Sequence, residues 1–142
     1  MRIDLYQQET AVIAQAQTAL LDEAREAVLT GRELSRLEQN GVLHAFQVLI
    51  ENAIGKAKQT LKQGGKTVPI SAYDSFMMLS DMGIVSSSNL DAWNAAIGLR
   101  NRIVHDYMNI DIKLVLKLVE NEQYRFVTDF LLAPIPNQSN EK

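Results

Sequence analysis

The first part of the chain, from Asp4 to about Leu29, contains neither proline nor glycine and is rich in Ala, Leu, Gln and Glu. Apolar residues recur there at helical spacing, at Tyr6, Ile13, Ala16, Leu20, Ala24 and Ala27. Gly31 follows as a helix-ending residue. A helix of this length gains most of its stability by packing one face on other elements, and the small residues of the stripe indicate close packing of helix on helix. The chain is therefore expected to build its core from helices.

A second long helix is predicted between Ser35 and Gly64. Ser35 and Glu38 form a capping-box pattern at its start, and Gly64 and Gly65 end it. Its apolar face comprises Val42, Phe46, Leu49, Ile50, Ala53, Ala57 and Leu61. Its opposite face comprises His44, Gln47, Glu51, Lys58 and Lys62. This polar stripe is most simply a solvated surface. Alternatively, part of it, above all Glu51, lines a functional site shared with a later helix.

Shorter helices are predicted in the rest of the chain from their capping residues. These are Ser71 before a helix that ends at Gly83, Ser88 with Asp91 before the next helix, Asp111 before residues 112–119, and Asn121 before residues 122–132. No segment alternates apolar and polar residues with a period of two, so no strand is predicted. We predict an all-α, up-and-down bundle of four main helices plus short ones. Residues 1–132 form its single domain, and residues 133–142 form a flexible C-terminal tail.

Composition limits the classes of function. The chain has no cysteine, which removes disulfide bonds and thiolate chemistry and fits a reducing compartment such as the cytoplasm. Its first residues do not form a signal peptide, and no apolar run approaches the roughly 20 residues that span a membrane. The formal net charge is −3. Any RNA site would therefore be a local basic patch, made denser by bringing two subunits together.

The segment 98–107 gathers a guanidinium, a carboxamide, an imidazole and a phenol. An apolar pattern at Leu90, Trp93 and Ile97 leads into it, and the next positions on the same helix face are Arg100 and Val104. Arg100 thus stands where the pattern predicts leucine. Because burial of an unpaired charge is costly, Arg100 is expected to have a partner or a task. Arg102 lies about 200° around the helix and is expected to pair with Asp106.

A straight helix cannot direct Arg100, His105 and Tyr107 to one point. Five residues correspond to about 140° of rotation and two residues to about 200°. Two arrangements remain open. Either the helix ends near Val104, or a second copy of the chain completes the group.

The available side chains support chemistry on a phosphate. The two histidines, His44 and His105, are far apart in sequence, and no ligand-spaced carboxylate pair accompanies them, so no metal site is expected. Arg100 could hold a phosphate and stabilise transition-state charge. His105 could take a proton from a 2′-hydroxyl or return one to the leaving 5′-oxygen. One histidine does not easily perform both transfers in one step, and a two-fold dimer would supply two.

A structural interpretation of the same residues also stays open. Arg and His in the last turn of a helix are favoured by the helix dipole alone, and Tyr107 could be a core residue. The motif would then only end a helix in a structural helical dimer.

The pattern Arg100-Asn101-x-x-x-His105-x-Tyr107 resembles the signature of the HEPN superfamily, and specifically of HepT toxins from prokaryotic toxin–antitoxin pairs. The surrounding blocks are similar to the same family: residues 49–54 on the second helix, Ser71-Ala72-Tyr73-Asp74-x-Phe76, and residues 98–107. The resemblance covers nearly the whole chain up to about Leu132.

The resemblance implies a dimeric helical bundle with a cleft that faces the arginine and histidine of both subunits. It implies an endoribonuclease that needs no metal or cofactor, with Arg100 and His105 catalytic and with Asn101 and Glu51 as supporting residues. It further implies an antitoxin partner of the MntA nucleotidyltransferase type, joined in a homodimer or a larger hetero-oligomer, that transfers AMP from ATP to Tyr107. The alternative is a non-catalytic helical dimer module that docks a nucleotidyltransferase.

Overall fold

The computed structural model describes residues 2–136. These residues form six α-helices and two short 3₁₀ turns, and no strand occurs among them. The helices are α1 (Ile3–Leu29), α2 (Arg36–Gln63), α3 (Ala72–Asp81), α4 (Leu90–His105), α5 (Ile112–Glu120) and α6 (Arg125–Leu132), and the turns are Ser87–Asn89 and Tyr107–Asn109. The predicted all-α fold is confirmed. No described helix has both the length and the apolar character needed to cross a membrane.

Local signals define the boundary between the two longest helices. Gly31 has a φ of +80°, and the Arg32 amide donates to the Ala27 carbonyl, which closes the end of α1. At the start of α2 the Ser35 hydroxyl accepts from the Glu38 amide, while the Glu38 carboxylate accepts from the Ser35 amide. The predicted capping box is therefore present. Its two bonds satisfy amides that the helix itself leaves without partners.

The predicted cap of α4 at Ser88 is wrong. The Ser88 hydroxyl bonds instead to the Ser86 hydroxyl at 2.7 Å, and Ser86 accepts from the Ser88 amide. The resulting 3₁₀ turn, Ser87–Asn89, delays the start of α4 to Leu90. A competing local side-chain bond has thus displaced the expected cap.

The predicted cap at Asn121 is also wrong. Asn121 ends α5, and Glu122 adopts a φ of +53°, which interrupts helical geometry. The α6 helix consequently begins at Arg125. Arg125 donates to Glu122 and to Asp22 of α1, so a network of charges holds this turn against the first helix.

The second helix is the centre of the bundle, because it packs against α1, α3, α4 and α6. An aromatic cluster joins α3, α4 and α6 to one another; it is formed by Phe76, Trp93, Phe126 and Phe130. Phe76 of α3 stacks on Trp93 of α4 with a centroid distance of 4.1 Å. This contact fixes α4 along its buried side and thereby positions the residues that follow.

The packing face of α1 differs from the predicted stripe between Ile13 and Leu20. Ala14 and Leu21 are buried, whereas Ile13, Ala16 and Leu20 are exposed. Both sides of this helix carry small or apolar residues, so periodicity alone does not distinguish them. The buried side also uses the hydroxyl of Thr18, which pairs with the hydroxyl of Thr128 at 2.7 Å.

Lys56 anchors the end of the described chain. Its ammonium group is buried and donates to the backbone carbonyls of Phe130, at 2.7 Å, Leu131, at 3.2 Å, and Ala133. These carbonyls belong to the C-terminal end of α6, where a cation is favoured. Ile135, within the predicted tail, is buried, and residues 137–142 lie outside the described residues. The domain boundary at residue 132 stays a prediction.

Candidate active site

Helices α2 and α4 run antiparallel and meet at two polar contacts. Glu51 faces Arg100 near the middle of α2, with 3.4 Å between a carboxylate oxygen and the Arg100 Nε atom. Nearer the start of α2, Asn40 accepts a hydrogen bond of 2.6 Å from the Tyr107 hydroxyl. The order of the contacts is reversed between the two segments, as antiparallel packing requires. Two residues of the predicted site, Arg100 and Glu51, therefore lie together.

Arg100 occupies the end of the buried stripe of α4. Trp93 and Ile97 are fully enclosed, whereas 28% of the Arg100 side chain is exposed. Its Nη1 donates to the Asn101 carboxamide oxygen at 2.7 Å. The Nε atom is buried and makes no hydrogen bond of good geometry, although the Glu51 carboxylate lies close to it. The guanidinium is thus oriented by neighbours and balanced by one carboxylate, while part of it faces solvent.

His105 is the last residue of α4 and is exposed. Within residues 2–136 its imidazole makes no hydrogen bond. Because the imidazole is exposed and has no bonded partner there, both ring nitrogens are accessible for proton transfer.

The end of α4 separates Tyr107 from the helical geometry of the other two residues. Asp106 leaves the helix with φ −146°, and Tyr107 enters the following 3₁₀ turn. Its side chain is 41% exposed while its hydroxyl is bonded to Asn40. The helix therefore ends close to Val104, which is the first of the two arrangements that the sequence left open. Arg100 and His105 nevertheless remain on one helix, about 140° apart.

Asn40 was missed by reasoning from the sequence. It lies eleven residues before Glu51, which is about 20° from it around the helix axis. The helical spacing between Asn40 and Glu51 was a signal that Asn40 lies on the face of α2 that meets the site. The contact of Asn40 with Tyr107, however, depends on tertiary packing.

The predicted ion pair between Arg102 and Asp106 is wrong. Arg102 donates to the backbone carbonyl of Asn109 at 3.4 Å, and Asp106 accepts from the Asn109 side chain at 2.7 Å. The reason is that α4 ends at His105, so Asp106 does not occupy the next helical turn.

An apolar groove of about 340 Å³ lies beside this end of α4, between α4 and α5. It is lined by Ala95, Gly98, Leu99, Arg102, Ile110, Asp111, Leu114, Val115 and Leu118. Leu114 is 64% exposed and Met108, in the turn after Tyr107, is 91% exposed. Large apolar side chains thus reach solvent both in the groove and in the turn that follows α4.

Metal ligands are not grouped in the described part of the chain. Among residues 2–136, no three His, Cys, Asp or Glu side chains come together in a way that could hold a metal ion.

A helical bundle with Arg100, Asn101, His105 and Tyr107 at the end of α4 is the arrangement expected of a HepT-like protein. The chain matches the family described as Ribonuclease HepT-like over residues 13–132. It belongs to this family.

Two relatives and one solved structure illustrate the similarity. A protein of Archaeoglobus fulgidus, provisionally named as an RNase, is 32% identical over 120 residues, which cover 84% of this chain and 83% of that protein. The mRNA nuclease HepT of Shewanella oneidensis is 29% identical over 83 residues, 58% of this chain and 62% of that protein. The structure of the tri-AMPylated Shewanella oneidensis HEPN toxin in complex with MNT antitoxin matches with a TM-score of 0.74 and 20% identity. That match covers 89% of this chain and 96% of the toxin.

Proposed function

We propose that the chain is the toxin of a toxin–antitoxin pair, a metal-independent endoribonuclease whose catalytic residues are Arg100 and His105. Its membership of the HepT-like ribonuclease family and its similarity to the mRNA nuclease HepT support this function. The observation that carries the proposal is that the same end of α4 holds an oriented, partly exposed Arg100 and an exposed His105 whose imidazole makes no hydrogen bond among residues 2–136.

In the proposed reaction the ribose 2′-oxygen attacks the adjacent phosphorus. The 2′-hydroxyl loses its proton to an imidazole, the bond between phosphorus and the 5′-oxygen breaks, and the departing oxygen receives a proton. The products are a 2′,3′-cyclic phosphate and a 5′-hydroxyl. Arg100 binds the non-bridging phosphate oxygens and stabilises the charge that grows on them, because its planar donors match a phosphate. Asn101 and Glu51 hold the guanidinium in place from its two sides.

We further propose that the site is completed in a two-fold homodimer. The exposed apolar groove between α4 and α5 is lined by Arg102, three residues before His105, and a second copy packed there would cover the groove and exclude water from it. Two copies of Arg100 would also concentrate positive charge in an otherwise acidic protein, and this favours binding of an RNA backbone.

Control of the toxin is proposed to occur at Tyr107. An antitoxin of the MntA nucleotidyltransferase type transfers AMP from ATP to its hydroxyl, an assignment that the tri-AMPylated state of the similar Shewanella toxin supports. The side chain is exposed and follows His105 by two residues. An attached phosphate would place negative charge beside Arg100 and His105 and would repel RNA. Such a pair acts where RNA and ATP are found together, in the cytoplasm.

The test is RNA cleavage and growth arrest with the wild-type protein and the His105→Ala variant. Wild-type protein is expected to cleave RNA in the presence of a metal chelator and to stop growth. His105→Ala should lose both properties while keeping its helical circular-dichroism spectrum. Lys62→Ala, an exposed residue elsewhere on α2, is the control and should retain activity. A His105→Ala variant as toxic as wild type would refute the assignment.

The second candidate is a non-catalytic helical module that docks a nucleotidyltransferase. The apolar groove beside α4 and the net charge of −3 favour a protein partner over RNA. This function requires tight complex formation and no RNA cleavage by the pure protein at any concentration, so the same assay separates the two candidates.

A further inference from the structure

Tyr73 of α3 reaches across to α4. It lies in the first turn of α3, where the Ser71 hydroxyl caps the helix by accepting from the Asp74 amide. The Tyr73 hydroxyl lies 3.8 Å from the position that a Cβ atom would take on Gly98, and among the described residues no other group from outside α4 comes within 4 Å of that position. The phenol ring therefore spans the gap between the two helices and ends over the one residue of segment 98–107 that has no side chain.

The α3 helix lies along the side of α4 that carries Asn101. Phe76 stacks on Trp93. Tyr73 comes earlier in α3 and lies at Gly98, which comes later in α4, so the two helices are antiparallel and α3 begins near the last turns of α4. Trp93 and Gly98 are about 140° apart around α4, and Asn101 falls between them, about 60° from Gly98. Asn101 thus lies on the side that faces α3, about 4.5 Å further along the helix axis than Gly98.

The Arg100 guanidinium and His105 follow Tyr73 along this side of α4. The Nη1 atom of Arg100 donates to the Asn101 carboxamide, so this end of the guanidinium reaches the side of α4 on which α3 lies. His105 is within about 20° of Gly98 around the axis, about two turns further on, and it is exposed. A phosphate bound by Arg100 would therefore have the ring of Tyr73 before it along α4 and the imidazole of His105 after it.

The phenol of Tyr73 is not committed to the core. Tyr73 is 40% exposed, and among residues 2–136 its hydroxyl makes no hydrogen bond and its ring pairs with no other aromatic ring. Tyr124, by contrast, is fully buried, donates to Asp22 and packs edge-on against Phe46. Exposed aromatic rings beside phosphate-binding groups are the surfaces on which proteins stack the bases of single-stranded RNA.

We infer that Tyr73 is a substrate-binding residue of RNA cleavage, and that a base next to the scissile phosphate stacks on its ring. This role rests on the ribonuclease function proposed above. Because every base has a flat π-face, the stacking accepts any sequence, and it holds the strand so that the phosphate stays at Arg100. Tyr73 does not line the α4–α5 groove that a second copy would cover, so its role does not compete with the proposed dimer.

The experiment uses an RNA oligonucleotide with a single wild-type cleavage site, and two versions of it that lack the base on the 5′ side or on the 3′ side of that site. Steady-state cleavage is compared for wild type, Tyr73→Phe, Tyr73→Leu and Tyr73→Ala. Met77→Ala is the matched control, because Met77 lies one turn further along α3 and is 52% exposed. Affinity is measured separately by fluorescence anisotropy with the 2′-O-methyl form of each oligonucleotide, which cannot be cleaved. Circular dichroism and thermal unfolding verify that each variant is folded.

On intact RNA, kcat/KM should fall by roughly tenfold for Tyr73→Ala and Tyr73→Leu, mainly through KM and with a matching loss of affinity, because the stacked base loses its partner. Tyr73→Phe keeps the ring and should stay close to wild type, as should Met77→Ala. Removal of one of the two bases should cost wild type a similar factor. The same removal should cost Tyr73→Ala nothing further, since the ring and the base act as a pair.

A folded Tyr73→Ala variant with wild-type affinity and kinetics overturns the inference. Equal sensitivity of wild type and Tyr73→Ala to each missing base also overturns it. So does a Tyr73→Phe variant as weak as Tyr73→Ala, because the effect would then belong to the hydroxyl and not to the ring. If wild type cleaves no RNA, the proposed ribonuclease function has failed, and the affinity measurement still decides whether Tyr73 holds RNA.

Discussion

Arg100 is held in place by residues from two helices, although the sequence around it suggests only a helix end. Asn101 is its neighbour in the chain, whereas Glu51 reaches it from α2. The contact with Glu51 is an ion pair between partly exposed groups without a well-formed hydrogen bond, so it contributes little to stability. Instead, the Glu51 carboxylate orients the guanidinium of Arg100 and balances its positive charge.

The Glu51→Gln variant tests this role. We expect the free energy of unfolding to change by less than about 1 kcal/mol, because exposed ion pairs are weak. The kcat for RNA cleavage should fall by roughly tenfold to 100-fold, because a less firmly oriented Arg100 no longer matches the transition state. Urea unfolding and steady-state kinetics measure the two quantities. An unchanged kcat would contradict a role of the Glu51 carboxylate in orienting Arg100.

Asn40 determines the position of the Tyr107 hydroxyl. Asn40→Ala removes the acceptor of its 2.6 Å hydrogen bond and frees the ring to change rotamer. AMP transfer to Tyr107 should then slow by about tenfold, since orientation of the reacting group is lost. A time course of intact mass with an MntA-type nucleotidyltransferase and ATP measures this rate.

Two comparisons complete that experiment. Asn40→Asp keeps an acceptor oxygen and should restore much of the rate. RNA cleavage by Asn40→Ala should be unaffected, because Asn40 does not contact Arg100. An unchanged rate of AMP transfer in Asn40→Ala would contradict the positioning role.

At the scale of helices, sequence reasoning succeeded where the deciding contact is local. Ser35 and Asp111 cap α2 and α5 as predicted, because each side chain bonds to amides within three residues. It failed at Ser88, where a neighbouring serine competes, and at Asn121, which is followed by the left-handed residue Glu122. Both predictions failed because a capping pattern does not describe a competing side-chain bond or a left-handed residue next to the cap.

Lys56 links α2 to the end of α6 and is a buried charge without a carboxylate partner among the described residues. Lys56→Met keeps the apolar stem but leaves three carbonyls without their donor. The free energy of unfolding should fall by about 2–4 kcal/mol near neutral pH. Chemical denaturation measures this loss. Gln59→Met, a substitution of similar size at a partly exposed position of α2, is the matched control and should change it little.

The same residue gives a pH dependence with a definite sign. Burial lowers the pKa of Lys56 from 10.5 to about 8. Between these values the unfolded chain binds the proton more often than the folded chain, so stability rises with pH in this window. The stability of wild type relative to Lys56→Met should therefore increase from pH 8 to pH 10.5. A difference that is flat across the window would mean that the carbonyls of α6 keep the ammonium charged.

For the whole molecule, the bundle and its family were predictable, whereas the assembly of the site was only partly so. Helical periodicity and the motif from Arg100 to Tyr107 define the fold class and the candidate residues. The register between α2 and α4 is not encoded in either helix alone. For this reason the sequence left two interpretations of Glu51 open, and Asn40 was recognised as a neighbour of the site only in three dimensions.

The apolar surface beside α4 provides the last prediction, because the proposed dimer must cover it. Leu114 lines the groove and is 64% exposed, so Leu114→Glu introduces a charge that a dimer interface would have to bury without a partner. The variant should be monomeric by sedimentation and lose RNA cleavage, while its helical content and unfolding midpoint remain near those of wild type. Val12→Glu is the matched control, since Val12 on α1 is also 64% exposed. A Leu114→Glu protein that is still dimeric and active would show that the α4–α5 groove is not part of the dimer interface. If only Val12→Glu dissociates the dimer, the interface lies on α1 instead.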